Sequence, residues 1–265
     1  MSTRSPKSWN TLPRFDLDFF RLLAEAVDLE PAQDKDAVMH GMLASIGIEK
    51  GEPFQPNPER AALLTKAAQA AERHMSDYML NDAFEPHWPG SSWVANKPAD
   101  NFGFSFYGDA KLDYDRRAGG FTYWATWAPK HFGEPGKLPA SYYIFSFADH
   151  HGDRLDGNSS YRVRFPADTP TREFWSVIAY ELGTNAFIPT PQDRVGVSSY
   201  DKDRLVVNDD GSIDVYIGPS APEGLEPNWI PTGGKDFWLI VRFYGPEQAI
   251  FDGTWTLPDP DKVTA

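Results

Sequence analysis

The chain has 265 residues and is acidic, with 38 Asp+Glu against 25 Lys+Arg and a formal charge of −13. That balance excludes a protein that tracks phosphate backbones and disfavours anionic membrane surfaces, while the absence of Cys excludes disulfides, thiolate catalysis and cysteine metal sites. An apolar fraction of 41% with 14% aromatics can fill a sizeable core, and 21 Gly plus 23 Pro interrupt the chain too often for long bundles or coiled coils.

Residues 1–13 form a polar tail with Pro6, Pro13 and a single anchor candidate, Trp9. The start lacks the apolar central run of a signal peptide, and no segment reaches 18 consecutive apolar residues, so the expected compartment is the cytoplasm. A helical segment follows over 14–82. Phe19, Leu22, Leu23 and Ala26 recur at helical spacing and predict one apolar face. Met39, Met42, Leu43 and Ile46 repeat that spacing, with Gly47 placed as a left-handed C-cap. The third helix opens on Asn57 as cap and Pro58 at its first position, with a stripe through Leu64, Ala67, Ala68, Ala71, Met75 and Tyr78.

Residues 83–139 read as an aromatic-rich connecting region. His87-Trp88-Pro89-Gly90-Ser91-Ser92-Trp93 is a loop by composition, and Phe102, Phe104 and Phe106 alternate as in a short strand. Phe121 to Trp127 fits a strand by its aromatics and a helix by the preceding Asp115-Arg116-Arg117-Ala118, and stays open between the two.

Residues 140–265 pattern as all-β. Tyr142 to Phe147 and Phe174 to Tyr180 are strands, and Tyr161-Arg162-Val163-Arg164-Phe165 alternates apolar and charged positions. Arg204 to Asn208 and Ile213 to Ile217 predict a hairpin, with Gly211 supplying the positive φ of its turn. Phe237 to Tyr244 is apolar apart from Arg242, the pattern of a strand covered on both faces. The fold class is therefore α+β: a jelly-roll-like antiparallel β-sandwich preceded by a three-helix segment.

The series Asp149, Gly152, Leu155-Asp156-Gly157, Tyr161 to Pro166, Phe174-Trp175-Ser176-Val177, Asn208 to Ile217, Pro227 to Pro231, Arg242 to Pro246 and Asp252-Gly253-Thr254-Trp255 resembles the domain of unknown function numbered twelve-fourteen. The resemblance implies a jelly-roll-like sandwich with helical decoration and no settled reaction. That domain commonly follows another, numbered twelve-fifty-four, in longer bacterial proteins, and the N-terminal partner is missing here. The stretch 15–80, including Ile46-Gly47-Ile48 and Gly51-Glu52-Pro53-Phe54, is similar to the helices joining the two domains.

For chemistry, Asp149-His150-His151-Gly152-Asp153 offers imidazole and carboxylate ligands. Adjacent His on extended chain point to opposite sides, and a tight turn needs the same residues, so no metal and no cofactor are expected. No nucleophile elbow, S-x-x-K or phosphate-binding glycine loop is present, and Ser176 reads as a small interior residue. A guanidinium at Arg242 needs an acceptor: either a structural pair with Asp252, Glu181 or carbonyls, or a ligand's carboxylate or phosphate. Arg194 is a second candidate anchor on a loop. Trp175, Trp238 and Trp255 belong to core contexts, whereas Trp88, Trp93, Trp124, Trp127 and Trp229 fall in or near loops. Asn228 to Pro231 reads as a plug closing the sandwich.

The leading expectation is a binding or assembly module for a small apolar, aromatic or carbohydrate-like ligand, contacted by Tyr161, Arg194, Trp229, Arg242 and Tyr244. The rivals are a metal-independent enzyme using a Tyr/Arg/Asp pocket and a homo-oligomer subunit that buries its aromatics between copies. Expected partners are a small molecule or a second copy, with neither nucleic acid nor membrane.

Overall fold

Helix boundaries follow from local capping chemistry. In the computed structural model, which describes residues 14–96, 105–106, 111–112, 114–119 and 133–263, α1 spans Leu17–Leu29 and the Asp16 carboxylate accepts from Asp18 N at 2.8 Å. Helix α2, Ala37–Ser45, ends where Gly47 turns to φ +88. That turn lets Ile48 N and Gly47 N close onto the last free carbonyls, Leu43 O and Ala44 O. Helix α3, Pro58–Asn81, starts under the Asn57 side chain, which accepts from Arg60 N at 2.8 Å.

These helices, up to Met79, form one compact unit, and the chain from Leu80 onward, Ala118–Ala125 excepted, forms another. Within the helical unit Lys50 Nζ donates to Val27 O, Asp28 O and Glu30 O and so holds the C-terminus of α1. The inward face of α1 is not the expected one. Val27 is buried while Leu22 and Ala26 are exposed, so the covered stripe runs Phe20–Leu23–Ala24–Val27, rotated from the sequence pattern. Helix α2 buries no residue, and Met39 and Met42 stay exposed. No helix among the described residues is long and apolar enough to cross a membrane.

Strands β1 (Phe84–Pro86) and β2 (Trp93–Asn96) come next, then the short pair β3 (Ser105–Phe106) and β4 (Lys111–Leu112), and the short helix α4 (Tyr114–Gly119). The rest of the chain supplies β5 (Ser141–Ser146), β6 (Ser160–Phe165), β7 (Thr171–Glu181), β8 (Gly196–Ser198), β9 (Ile213–Gly218), β10 (Trp229–Pro231), β11 (Phe237–Pro246), α5 (Ala249–Asp252) and β12 (Asp261–Val263). They build a six-stranded sheet, β1-β2-β5-β11-β7-β8, and a four-stranded sheet, β10-β9-β6-β12. Pairing is antiparallel apart from β9 with β10, which run parallel. Two strands from the aromatic-rich region, β1 and β2, thus join the larger sheet. The second expected aromatic stretch, Phe121 to Trp127, and most of Asn101 to Tyr107 lie outside the described residues.

The sheets face each other across one core. Ile144, Trp175, Val177, Ala179, Leu239, Val241 and Phe243 from the larger sheet meet Tyr161, Val163, Phe165, Val215, Ile217 and Ile230 from the smaller. Trp88 and Trp93, expected near loops, are both buried in this core; their indole N–H groups donate to Ile250 O and Pro258 O, which makes burial affordable for a polar ring. Alternation in β6 holds as read: Tyr161, Val163 and Phe165 are buried, while Arg162 and Arg164 reach Asp261 and Asp210 outside.

The expected hairpin is absent. The turn exists, with Gly211 at φ +81 and Asn208 N bonded to Ser212 O, but residues 204–208 are not a strand. Instead the buried Asn228 amide serves as their partner. Its Oδ1 accepts from Val206 N at 2.9 Å, and its Nδ2 donates to Val206 O at 2.8 Å and Asp214 O at 2.9 Å. One side chain replaces a ladder because β9 already has β6 on one side and β10 on the other.

Candidate functional site

A cavity of about 590 Å³ opens where the two sheets part at the start of β7. Its floor is the stack of Phe165 on Trp175, ring centroids 3.6 Å apart and planes 5° from parallel. One wall is the turn after β6, with Pro166, Ala167 and Thr169; the opposite wall is the 3-10 segment Ser199–Arg204. Thr171 and Glu173 project from β7, and Gly211 and Ile213 close the far end.

Local hydrogen bonds fix this geometry. Ser199 Oγ accepts from Trp175 N at 3.0 Å, and Ser198 Oγ donates to Trp175 O at 3.1 Å, so two hydroxyls continue the β7 edge where β8 ends. Ser198 Oγ also accepts from Tyr200 N and caps the 3-10 segment. Tyr200 is held edge-on to Phe174, centroids 5.7 Å apart, yet is 78% exposed and presents its ring at the rim. Glu173 and Lys202 add one charge of each sign and form no ion pair with any described residue. An aromatic rim over a wall of hydroxyls and charges suits a hydroxylated ligand better than an apolar one.

The five residues expected at a site do not converge. Tyr161 is buried between the sheets, edge-on to Phe237, and its hydroxyl accepts from Asp156 N at 3.0 Å. Arg194 Nη1 is taken up by the carbonyls of Glu226, Pro227 and Trp229 at 2.6, 3.0 and 3.2 Å. Trp229 Nε1 donates to Gly218 O at 3.0 Å, so these two residues close the end of β10 together. Arg242 and Tyr244 share the other, outer face of the larger sheet. Tyr244 stacks on Phe174 at 4.3 Å, and Arg242 Nη2 donates to Tyr180 OH at 3.0 Å. Neither expected carboxylate partner of Arg242 is used: Glu181 pairs with Lys235, and Asp252 accepts from Thr254. The cavity residues Glu173, Tyr200 and Lys202 were not singled out by sequence. Their one signal is a lone aromatic within the polar run Ser198-Ser199-Tyr200-Asp201-Lys202-Asp203.

One histidine pair and one single, part-buried histidine lie elsewhere. His150 and His151 bring their rings to 3.7 Å, since the chain turns there and the alternation of extended backbone does not apply. The turn is fixed by buried Asp149, whose carboxylate accepts from His151 N and Asp153 N, and no three described His, Asp or Glu converge as a metal set. His87 bonds Ile250 O through Nε2 at 3.0 Å and faces Tyr142 OH through Nδ1 at 3.4 Å. Burial lowers its pKa to about 4 against the opposing pull of the Ile250 carbonyl, and burial with nearby Glu85 raises the Tyr142 phenol. Both groups are neutral near pH 7.

Residues 140–248, from β5 to the end of β11, match the family described as Protein of unknown function (DUF1214). This stretch of the sandwich is similar to the DUF1214 family. The cavity lies wholly inside it, as do Arg194, Trp229 and Arg242, whereas β1, β2, His87 and β12 lie outside. Among solved structures the chain is similar to the VPA0106 protein from Vibrio parahaemolyticus, with 20% identity and a TM-score of 0.43 over all of this chain and 58% of that one. It is also similar to an uncharacterised protein from Burkholderia cenocepacia, with 15% identity and a TM-score of 0.36 over 81% of this chain and 46% of the other. The chain thus spans about half the length of both. A comparison with curated proteins finds no match.

Proposed function

We propose that the DUF1214-like stretch of this chain, residues 140–248, is a binding module for a carbohydrate-like ligand, held in the cavity at the start of β7. The observation that carries this reading is the combination of size and lining. About 590 Å³ accommodates one or two sugar rings, and Tyr200 offers an exposed face beside Thr169, Thr171, Glu173 and Lys202. A sugar ring has an apolar C–H face for the tyrosine and equatorial hydroxyls for the polar wall. An apolar ligand would leave those polar groups desolvated without partners, which disfavours it.

Trp175 in the floor provides the readout. Titration of the full chain with neutral oligosaccharides is expected to change tryptophan fluorescence saturably, and Tyr200→Ala is expected to weaken binding at least tenfold with folding retained. Oligosaccharides that leave the fluorescence and the melting temperature unchanged up to tens of millimolar would contradict the reading.

A second reading, assembly, rests on a different observation. Leu29, Val38, Met39, Met42 and Leu63 of the helical unit are all more than half exposed. Light scattering of wild type against Met39→Glu with Met42→Glu tests it: a dimer that the paired substitution dissociates supports assembly, and a wild-type monomer refutes it.

A further inference from the structure

We propose that Arg242, Tyr180 and Tyr143 on the outer face of the six-stranded sheet form a carboxylate site for a small aromatic acid. In β11 the residues Phe237, Leu239, Val241 and Phe243 point into the inter-sheet core, so alternation places Arg242 on the opposite face. The register sets Arg242 between Tyr143 of β5 and Ser176 of β7. Its hydrogen bond goes not to these neighbours but to Tyr180, four cross-strand pairs along the register and the second on the same face. To reach it the side chain runs back along the strand over the Ile240–Ile178 pair. That path buries Nε, which finds no acceptor among the described residues. The guanidinium carbon lies 5.7 Å from the Tyr143 ring centroid, a cation–π contact.

The guanidinium is therefore held in place but not neutralised. Among the described residues its charge meets two phenols and no carboxylate, and Nη1 makes no hydrogen bond. A surface arginine that merely covers apolar neighbours extends its head into water. Here the head is folded back onto Tyr180 and Tyr143, and Nη1, which unlike Nε is not fully buried, keeps its N–H groups for an incoming acceptor. The fork of Nη1 and Nη2 matches a planar carboxylate, the geometry guanidinium recognises best.

The surroundings select the rest of the ligand. Tyr143 is 39% exposed on one side, and Phe187, 51% exposed, packs on Tyr180 at 5.0 Å on the other. These rings offer faces to a flat apolar body attached to the carboxylate. A phosphate dianion fits less well, because a single cation faces it on a chain of charge −13. The site is separate from the cavity at the start of β7 and does not depend on the carbohydrate reading.

Isothermal titration of the full chain with benzoate, benzamide and inorganic phosphate tests the proposal. Benzoate is expected to bind with a dissociation constant of roughly 0.1–1 mM, weakening as salt rises, with benzamide and phosphate at least tenfold weaker. Arg242→Lys, which keeps the charge but loses the fork, and Tyr180→Phe, which removes the phenol that orients it, should each weaken benzoate at least threefold. Arg242→Met should abolish binding, and Tyr200→Ala should leave it unchanged. Should Arg242→Met fail to fold, the two milder variants decide. Absence of benzoate binding at 10 mM, equal affinity for benzamide, preference for phosphate, or unchanged affinity in both milder variants overturns the assignment.

Discussion

Trp175 of β7 and Phe165 of β6 stack face to face across the two sheets, 3.6 Å between centroids and 5° between planes. The pair welds the sandwich at the point where the sheets diverge and floors the cavity beyond. Packing and site are therefore coupled: Trp175→Ala should cost about 3–5 kcal/mol in urea unfolding, against roughly 1–2 kcal/mol for Trp175→Phe, which keeps a ring on Phe165. Equal losses for the two variants would show that a ring retained at this position recovers nothing, which contradicts the role given to the stack.

Asn228 carries three hydrogen bonds that a strand would otherwise make. Asn228→Ala leaves Val206 N, Val206 O and Asp214 O without this partner and should destabilise by about 2–4 kcal/mol. Asn228→Asp should be at least as costly, because a carboxylate cannot donate to the two carbonyls. Chemical denaturation checks both, and an Asp variant as stable as wild type would refute the role given to the amide.

His87 makes stability depend on pH. Its pKa falls from 6.5 to about 4 on folding, so the unfolded chain binds the proton more readily. Above pH 6.5 the two states hold the same charge at this group and the term vanishes. As pH falls from 6.5 to 4 the unfolded state gains stability, a loss to the fold of up to roughly 3 kcal/mol. Denaturation midpoints between pH 7 and 4 should drop less steeply in His87→Gln than in wild type; parallel curves would contradict this.

Gly157 sits so close to Lys235 that a Cβ would overlap its backbone, and its own N–H and C=O are taken by Asp236 and Thr232. Gly157→Ala should therefore lower the melting temperature by several degrees, whereas Gly183→Ala, which meets nothing within 4 Å, should shift it little.

Much of the fold is legible in the sequence because period and punctuation are local. Asn57 and Pro58 mark a helix start, Gly47 a helix stop, and Tyr161, Val163 and Phe165 an inward strand face, each from neighbours within a few residues. What escapes depends on distant partners. Residues 204–208 look like a strand, yet β9 pairs with β6 and β10 and leaves them to Asn228. Trp88 and Trp93 look like loop aromatics until Ile250 O and Pro258 O, over 160 residues away, accept their N–H groups. The candidate site is hidden for the same reason. Phe165, Glu173 and Tyr200 have no shared spacing and meet only when two sheets and a 3-10 turn assemble.

The central claim, ligand capture beside Phe165 and Trp175, is tested most directly by mapping amide chemical shifts of the full chain during titration with a neutral oligosaccharide. The account predicts saturable changes at Thr169, Glu173, Ser199, Tyr200 and Lys202, with the β10 end of the sandwich silent. Changes confined to that far end around Trp229, or none at saturating sugar, would contradict it.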